Sequence, residues 1–182
     1  MSDRVRLLDV NFLIALSVDS HVHHAAAHAA LAGFQDGWAT CPITEAALLR
    51  LLLNPLTTGQ CLTGVDAMAV LVGIRAQPAW RFIADRSSLA EPDINTATLA
   101  GTKQVTDFHL LNVAAANGSV LATFDTRIPA ALSDADRRHV EVVRVTRVTV
   151  RIDLHRIDPG GRAGRSAGRG SVGACSSGTR EP

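Results

Sequence analysis

Four acids recur at comparable places along the 182-residue chain: Asp9, Glu45, Asp107 and Asp125. Asp9 follows VRLL and Asp125 follows VLATF, so each closes a short hydrophobic stretch. Glu45 and Asp107 fall where helices begin. Taken singly, each has an ordinary role. A carboxylate is favourable at a helix N-terminus, and Asp9 and Asp125 can cap a helix or a turn. Taken together they suggest chemistry. Converging carboxylates about 4 Å apart repel by roughly 4 kcal/mol per pair at an effective dielectric near 20. Such a group stays ionised only with a cation among its members, and hard oxygen ligands favour Mg²⁺, or Mn²⁺, over zinc. A site of that kind suits phosphodiester hydrolysis, because the ion makes water acidic enough to attack and stabilises the leaving oxygen. No Ser/His/Asp set and no reactive Cys or Lys is needed.

The elements that must position these acids follow from periodicity. Val5–Val10 reads as a buried strand with Asp9 at its C-terminal end, and Asn11–Leu16 as a short helix. A second helix is expected over His21–Ala32, capped by Asp19-Ser20. After a turn over Gly33–Gly37, Trp38–Cys41 reads as a strand, and Pro42-Ile43-Thr44-Glu45 starts a helix over Ala46–Leu53, which Asn54-Pro55 ends. Thr57–Thr63 is polar and loop-like. Val65–Arg75 is a helix with Val65, Met68, Leu71 and Val72 on one face. Pro78–Ile83 is a candidate strand, Asp85–Asp93 a loop and Ile94–Gly101 a weak helix. Asp107 then sits at the start of an apolar helix that stops at Asn117-Gly118. Val120–Phe124 is a buried strand, and Thr126–Ser133 a loop or single helical turn. Val140–Val145 is a strand, and Thr146–Leu154 alternates like an edge strand or a continuation of it. This alternation implies a parallel sheet with helices on both faces. In such sheets ligands bind outside the carboxyl ends of the strands, the rim on which the acids fall.

Composition narrows the class. Hydrophobic residues make up 47% and charged residues 19%, a globular balance in a chain long enough for one sizeable core. No apolar run reaches transmembrane length and no basic–apolar–small leader opens the chain, so a cytoplasmic location is expected. Cys41, Cys61 and Cys175 have no close spacing, which argues against a disulfide framework or a zinc cluster and for idle thiols. Net charge is +1. Residues 159–182 hold four Arg against one Glu and half of the 14 glycines. That segment reads as a Gly/Arg/Ser-rich disordered tail behind a folded domain of residues 1–158. Overall charge announces no nucleic-acid partner, so RNA binding must use a local patch. Arg50, Arg75, Arg81, Lys103, Arg127, Arg137 and Arg138 are candidates for phosphates, with Arg127 the most attractive because it follows Asp125 by two residues. His24 and His28 have the i, i+4 spacing of a helical metal pair but no third ligand nearby, and read as a polar helix face.

These residues resemble the PIN-domain ribonucleases, and more narrowly the VapC-type toxins of bacterial type II toxin–antitoxin systems. The resemblance spans roughly residues 5–150 and rests on four segments. They are LLDVNFLIAL with Asp9, PITEAALLRLL with Glu45, TDFHLLNVAAANG with Asp107 and VLATFDTRI with Asp125. It implies a three-layer α/β/α fold with a central, mainly parallel sheet of about five strands. It implies an endoribonuclease dependent on Mg²⁺ or Mn²⁺, acting on structured RNA such as tRNA or rRNA, with Asp9, Glu45, Asp107 and Asp125 sharing the metal site. Asn11 and Thr123 match places where the family puts polar groups that orient the ligands. A cognate antitoxin that blocks the site and a homodimer are also implied. The helices between Asn11 and Ala32, with Thr44–Leu53 and Val65–Arg75, offer apolar residues to such a partner. His109, two residues after Asp107, stands where an aromatic is common and reads as packed or exposed. The tail departs from the family pattern.

Three other readings stand beside this one. A PIN nuclease without an antitoxin would process or degrade cellular RNA. A degenerate module would bind RNA or protein without cutting, but gains nothing from packed like charges. A phosphotransferase with Asp9 as nucleophile needs a second Asp where Asn11 stands. A dinucleotide fold is unsupported, because no Gly-rich loop follows the first strand.

Overall fold

Short apolar runs form the centre of the molecule. In a computed structural model, which describes residues 4–144, they become β1 (Arg6–Leu8), β2 (Trp38–Thr40), β3 (Trp80–Phe82), β4 (Val120–Thr123) and β5 (Val140–Val142). All pair in parallel in the order β3-β2-β1-β4-β5. Successive residues of a strand face opposite ways, and burial follows this. Leu7 and Leu121 pack on one side of the sheet with Phe108, Leu111 and Ile128. Leu8, Trp38 and Ala122 pack on the other with Phe12, Leu13, Leu48 and Ala67. The central strands β1, β2 and β4 are buried on both faces, as parallel strands covered by helices must be. This is the expected three-layer α/β/α arrangement.

Helices α1 (Val10–Ser17), α2 (His24–Ala32), α3 (Pro42–Leu52), α4 (Pro55–Thr58), α5 (Gly64–Arg75) and α6 (Gln104–Ala116) connect the strands. Residues of α1, α2, α3 and α5 belong to the Leu8 face, and those of α6 to the Leu7 face. The strand order reverses direction around β1, which lies between β2 and β4. The crevice at that switch point is where such sheets bind ligands, and Asp9 sits at its mouth.

Several expectations need correction. Ile94–Gly101 forms turns rather than a helix. The Asn95 side-chain oxygen accepts from Ala97 N at 2.9 Å, and Asn95 N donates to the buried Asp136 at 3.0 Å. The first of these is an Asx turn, a local alternative to helix that asparagine offers its own backbone. The second helix begins at His24, and Asp19-Ser20 does not cap it. The Thr57–Thr63 loop is shortened by α4, which Asn54 caps and Pro55 starts. On α5 the buried residues are Ala67 and Leu71, while Val65, Met68 and Val72 are exposed. The apolar stripe read there is thus split between the core and the surface. Strand β5 is three residues long. The Thr146–Leu154 strand, the 158/159 domain boundary and the tail lie outside the described residues. Cys41 is a buried free thiol, in keeping with the reading of an idle one, and Cys175 lies outside the described residues. His24 and His28 turn to the Ala15 and Leu16 carbonyls, at 2.8 and 3.3 Å, in keeping with a polar helix face. Among the described residues, no helix is long and apolar enough to cross a membrane.

Arg6 on β1 is buried, and its guanidinium meets Asp36 at 3.0 Å and Glu141 at 3.3 Å, joining the turn before β2 to β5.

Candidate active site

Asp9 is the N-cap of α1. Its Oδ1 accepts from Val10 N at 2.6 Å, which satisfies a helix donor that would otherwise be orphaned. Its Oδ2 accepts from Thr123 Oγ1 at 2.7 Å. Thr123 ends β4, the strand beside β1, and is fully buried. The same hydroxyl accepts from Asn11 Nδ2 at 2.8 Å and from Asp125 N at 3.0 Å. Asn11 Oδ1 in turn accepts from Phe124 N at 3.2 Å. One threonine therefore holds the first acid, the backbone of the fourth and the polar residue of α1 in a single network.

Asp107 stands in the first turn of α6. It lines a cleft of about 280 Å³ together with Asp125, Arg127, Lys103 and Gln104. Burial raises the Asp107 pKa above the ordinary carboxylate value, and the negative charges of Asp9 and Asp125 push it further, against a smaller opposing pull from Arg127. Burial also raises the Asp9 pKa. The bonds from Thr123 and Val10 oppose that rise, and the Asp125 charge adds to it. Asp125 moves the other way. Arg127 forks it, with Nε at 2.9 Å from Oδ1 and Nη2 at 2.6 Å from Oδ2, and holds its carboxyl below the usual range. Asp9, Asp107 and Asp125 thus share one electrostatic environment, with Arg127 the cation facing it.

Glu45 is arranged differently. It lies in the first turn of α3, directly after β2, and is buried. Its Oε1 accepts from Thr40 Oγ1 at 2.6 Å, and its Oε2 faces Arg75 Nη1 at 3.7 Å. The Thr40 hydroxyl accepts in turn from Trp80 Nε1 at 3.0 Å. Thr40 closes β2 as Thr123 closes β4, and each holds an acid of the rim. The sequence reading assigned nothing to Thr40 or Trp80. The recurrence of a threonine as the last strand residue was the one available signal. His109 Nε2 lies 2.7 Å from Asp85 Oδ2, a hydrogen-bond contact that leaves the ring packed rather than open.

Among the described residues, no three or more Asp, Glu, His or Cys side chains form a ready-made cage for a metal ion. Two acids are instead occupied by arginines, Asp125 by Arg127 and Glu45 by Arg75. The donor set nevertheless fits a hard divalent cation. It is all oxygen, and Asp9 and Asp107 are pushed toward protonation in part by neighbouring negative charge, which a cation would relieve.

The family model for the PIN domain matches residues 6–132, a span that contains all four acids. The chain belongs to the PIN domain family. The chain is 41% identical over 145 residues to Ribonuclease VapC38 of Mycobacterium tuberculosis, covering 76% of this chain and 98% of that protein. It is 39% identical over 131 residues to Ribonuclease VapC39 of the same organism, covering 71% and 91%. With Ribonuclease VapC29, also from that organism, it shares 38% identity over 120 residues, covering 66% and 85%. The five-stranded parallel sheet and the switch-point crevice are therefore a PIN domain's, and its acids fall on the carboxyl rim of that sheet.

Proposed function

We propose that this PIN domain is a metal-dependent endoribonuclease that hydrolyses phosphodiester bonds in structured RNA, tRNA or rRNA, as the toxin of a toxin–antitoxin pair in the cytoplasm. The observation that carries the reading is the shared electrostatic environment of Asp9, Asp107 and Asp125 at the switch point. The names of the relatives support the activity. Asp9, Asp107 and Asp125, with Glu45 across the rim, would hold Mg²⁺ or Mn²⁺. Such an ion, when bound, acts as a Lewis acid toward a phosphoryl oxygen and makes water acidic enough to attack at neutral pH. Thr123 and Asn11 keep Asp9 and the Asp125 backbone in place, and Thr40 keeps Glu45 in place. Arg127 and Lys103 line the same cleft as Asp107 and suit the RNA phosphates. Arg127 then has two roles, neutralising Asp125 in the free protein and meeting a phosphate in the complex.

A partner that covers apolar surface fits the α4–α5 region, where Leu53, Leu56, Val65, Met68 and Val72 are exposed. A homodimer and an antitoxin both suit that surface.

The deciding experiment is cleavage of total RNA by purified protein with Mg²⁺ or Mn²⁺ and with EDTA, beside Asp9→Ala and Asp107→Ala. Discrete fragments that need metal and vanish in both folded variants are expected, and the fragment ends identify the target. Equal behaviour of wild type and variants over a broad set of structured RNAs overturns the catalytic reading and leaves a binding module. A small gene for a protein partner beside this one separates a toxin from a nuclease that processes cellular RNA.

A further inference from the structure

Strand β3 lies at the edge of the sheet and carries two aromatic residues on one face, Trp80 and Phe82. Their rings are 6.5 Å apart. The guanidinium of Arg75, at the end of α5, lies 4.7 Å from the Trp80 ring centre and 5.3 Å from that of Phe82. Arg75 also faces Glu45 at 3.7 Å, and Trp80 reaches Glu45 through the Thr40 hydroxyl. An aromatic surface with an arginine against it is thus wired directly to one acid of the rim. The parallel register sets Phe82 level with Thr40, at the carboxyl end of the sheet. Asp9 follows β1, two strand spacings or about 10 Å from β3.

The surface is built but open. Phe82 is 44% exposed, whereas Phe12 and Phe108 are fully buried. Nothing in the core requires a phenylalanine at that place. Arg75 is exposed beside the two rings, and Arg81, between them in sequence, is exposed on the opposite face of the strand. Sheet-borne aromatic rings backed by arginine are a chemistry for unpaired nucleobases, which stack on the rings while cations meet the phosphates. An apolar protein helix would find two rings among charges here, and a much larger apolar surface on α4–α5.

We propose that Trp80 and Phe82, with Arg75, form a stacking platform for an unpaired base of the RNA substrate, one or two nucleotides from the phosphate that is cut. This rests on the endoribonuclease reading and deepens it. The platform binds one end of a strand laid along the rim, with the Lys103–Arg127 cleft at the other. Cleavage would then require an unpaired nucleotide at a set distance from the cut.

The test uses the full chain with single-stranded oligoribonucleotides carrying 2-aminopurine at successive positions, in EDTA so that binding is read without cleavage. Wild type should quench the fluorophore at one position. Phe82→Leu keeps an apolar side chain but removes the ring. It should abolish that quenching and weaken binding about 5- to 150-fold. The dependence of affinity on salt should stay unchanged, because no charge is lost. Phe82→Tyr should restore quenching. The melting temperature should not move in either variant, and in metal-supported cleavage Phe82→Leu should raise KM more than it lowers kcat. Cleavage by wild type with equal RNA binding by wild type and Phe82→Leu overturns the platform and leaves the nuclease reading standing. Loss of a protein partner with RNA binding intact overturns it in favour of a docking role. No RNA binding or cleavage by wild type overturns both.

Discussion

Replacing Thr123 with valine tests the central network of the site, because valine keeps the shape and deletes only the hydroxyl. In the native protein that hydroxyl is fully buried, donates to Asp9 and accepts from Asn11 Nδ2 and Asp125 N. A hydrogen bond to a charged group contributes about 1.5–3 kcal/mol, and two neutral donors left in a partly wet site cost about 0.5–1 kcal/mol each. No cavity is added, so the expected loss is about 3 kcal/mol. For a chain of this size that is a fall of about 6–12 °C in melting temperature. Thr123→Ser should recover most of it. The loss should also shrink in acid. Once Asp9 is protonated, its bond from Thr123 no longer serves a charge. Asp9 has its pKa raised by burial, so this narrowing begins above the ordinary carboxylate range. In the valine variant Asp9 loses a contact that favours its ionised form, so the acid limb of cleavage should move to higher pH. Thermal melts and urea titrations of the three proteins between pH 4 and 8, with cleavage profiles, measure all of this. A valine variant that melts within about 2 °C of wild type, or a serine variant no better than valine, would show that the network does not hold the site together.

Asp107→Asn should end cleavage yet stabilise the metal-free protein at neutral pH, by about 0.5 kcal/mol after screening at its half-exposed place. The folded pKa of Asp107 is raised, so its ionisation penalty is absent below the unfolded pKa and grows as pH rises through the folded one. The gain from Asn should therefore appear at pH 7 and vanish near pH 4; a destabilised variant at pH 7 in EDTA contradicts the shared-charge account. Mn²⁺ at 100 times its dissociation constant should add about 2.7 kcal/mol, or roughly 5–10 °C. That gain should fade with acid from above the normal carboxylate range, because Asp9 and Asp107 take up protons early. An unchanged shift at pH 5 and 8 would place the ion elsewhere. Gly37 has φ 85°, and a Cβ there meets the Ala79 carbonyl oxygen at 2.7 Å. Gly37→Ala should cost more than about 1 kcal/mol, read by urea denaturation, and a neutral result removes the close approach between this turn and β3 as a constraint.

Much of the scaffold was legible in the chain because its signals are local. Apolar runs marked all five strands to within a few residues, and an acid directly after an apolar run located Asp9 and Asp125. Pro42 at a helix start and Asn117-Gly118 at a helix end bounded α3 and α6. The helix expected at Ile94–Gly101 is absent: Asn95 closes a local Asx turn on Ala97, and its backbone N–H goes to Asp136, forty-one positions away, a contact that no local pattern announces. The same holds for the arginines. Spacing shows that Arg127 is near Asp125, but not that it forks both oxygens, nor that Arg75 serves Glu45 and two aromatic rings at once. The α5 stripe could not be assigned to core or surface either, because a helix with apolar residues on several sides leaves open which side meets the sheet. Periodicity and turn chemistry act over a few residues and are written into the order of the chain. Which acid meets which cation depends on the strand order β3-β2-β1-β4-β5 and on the pairing of groups 30 to 135 positions apart. Those distances are set by packing the two cores against the sheet, and no local pattern carries them.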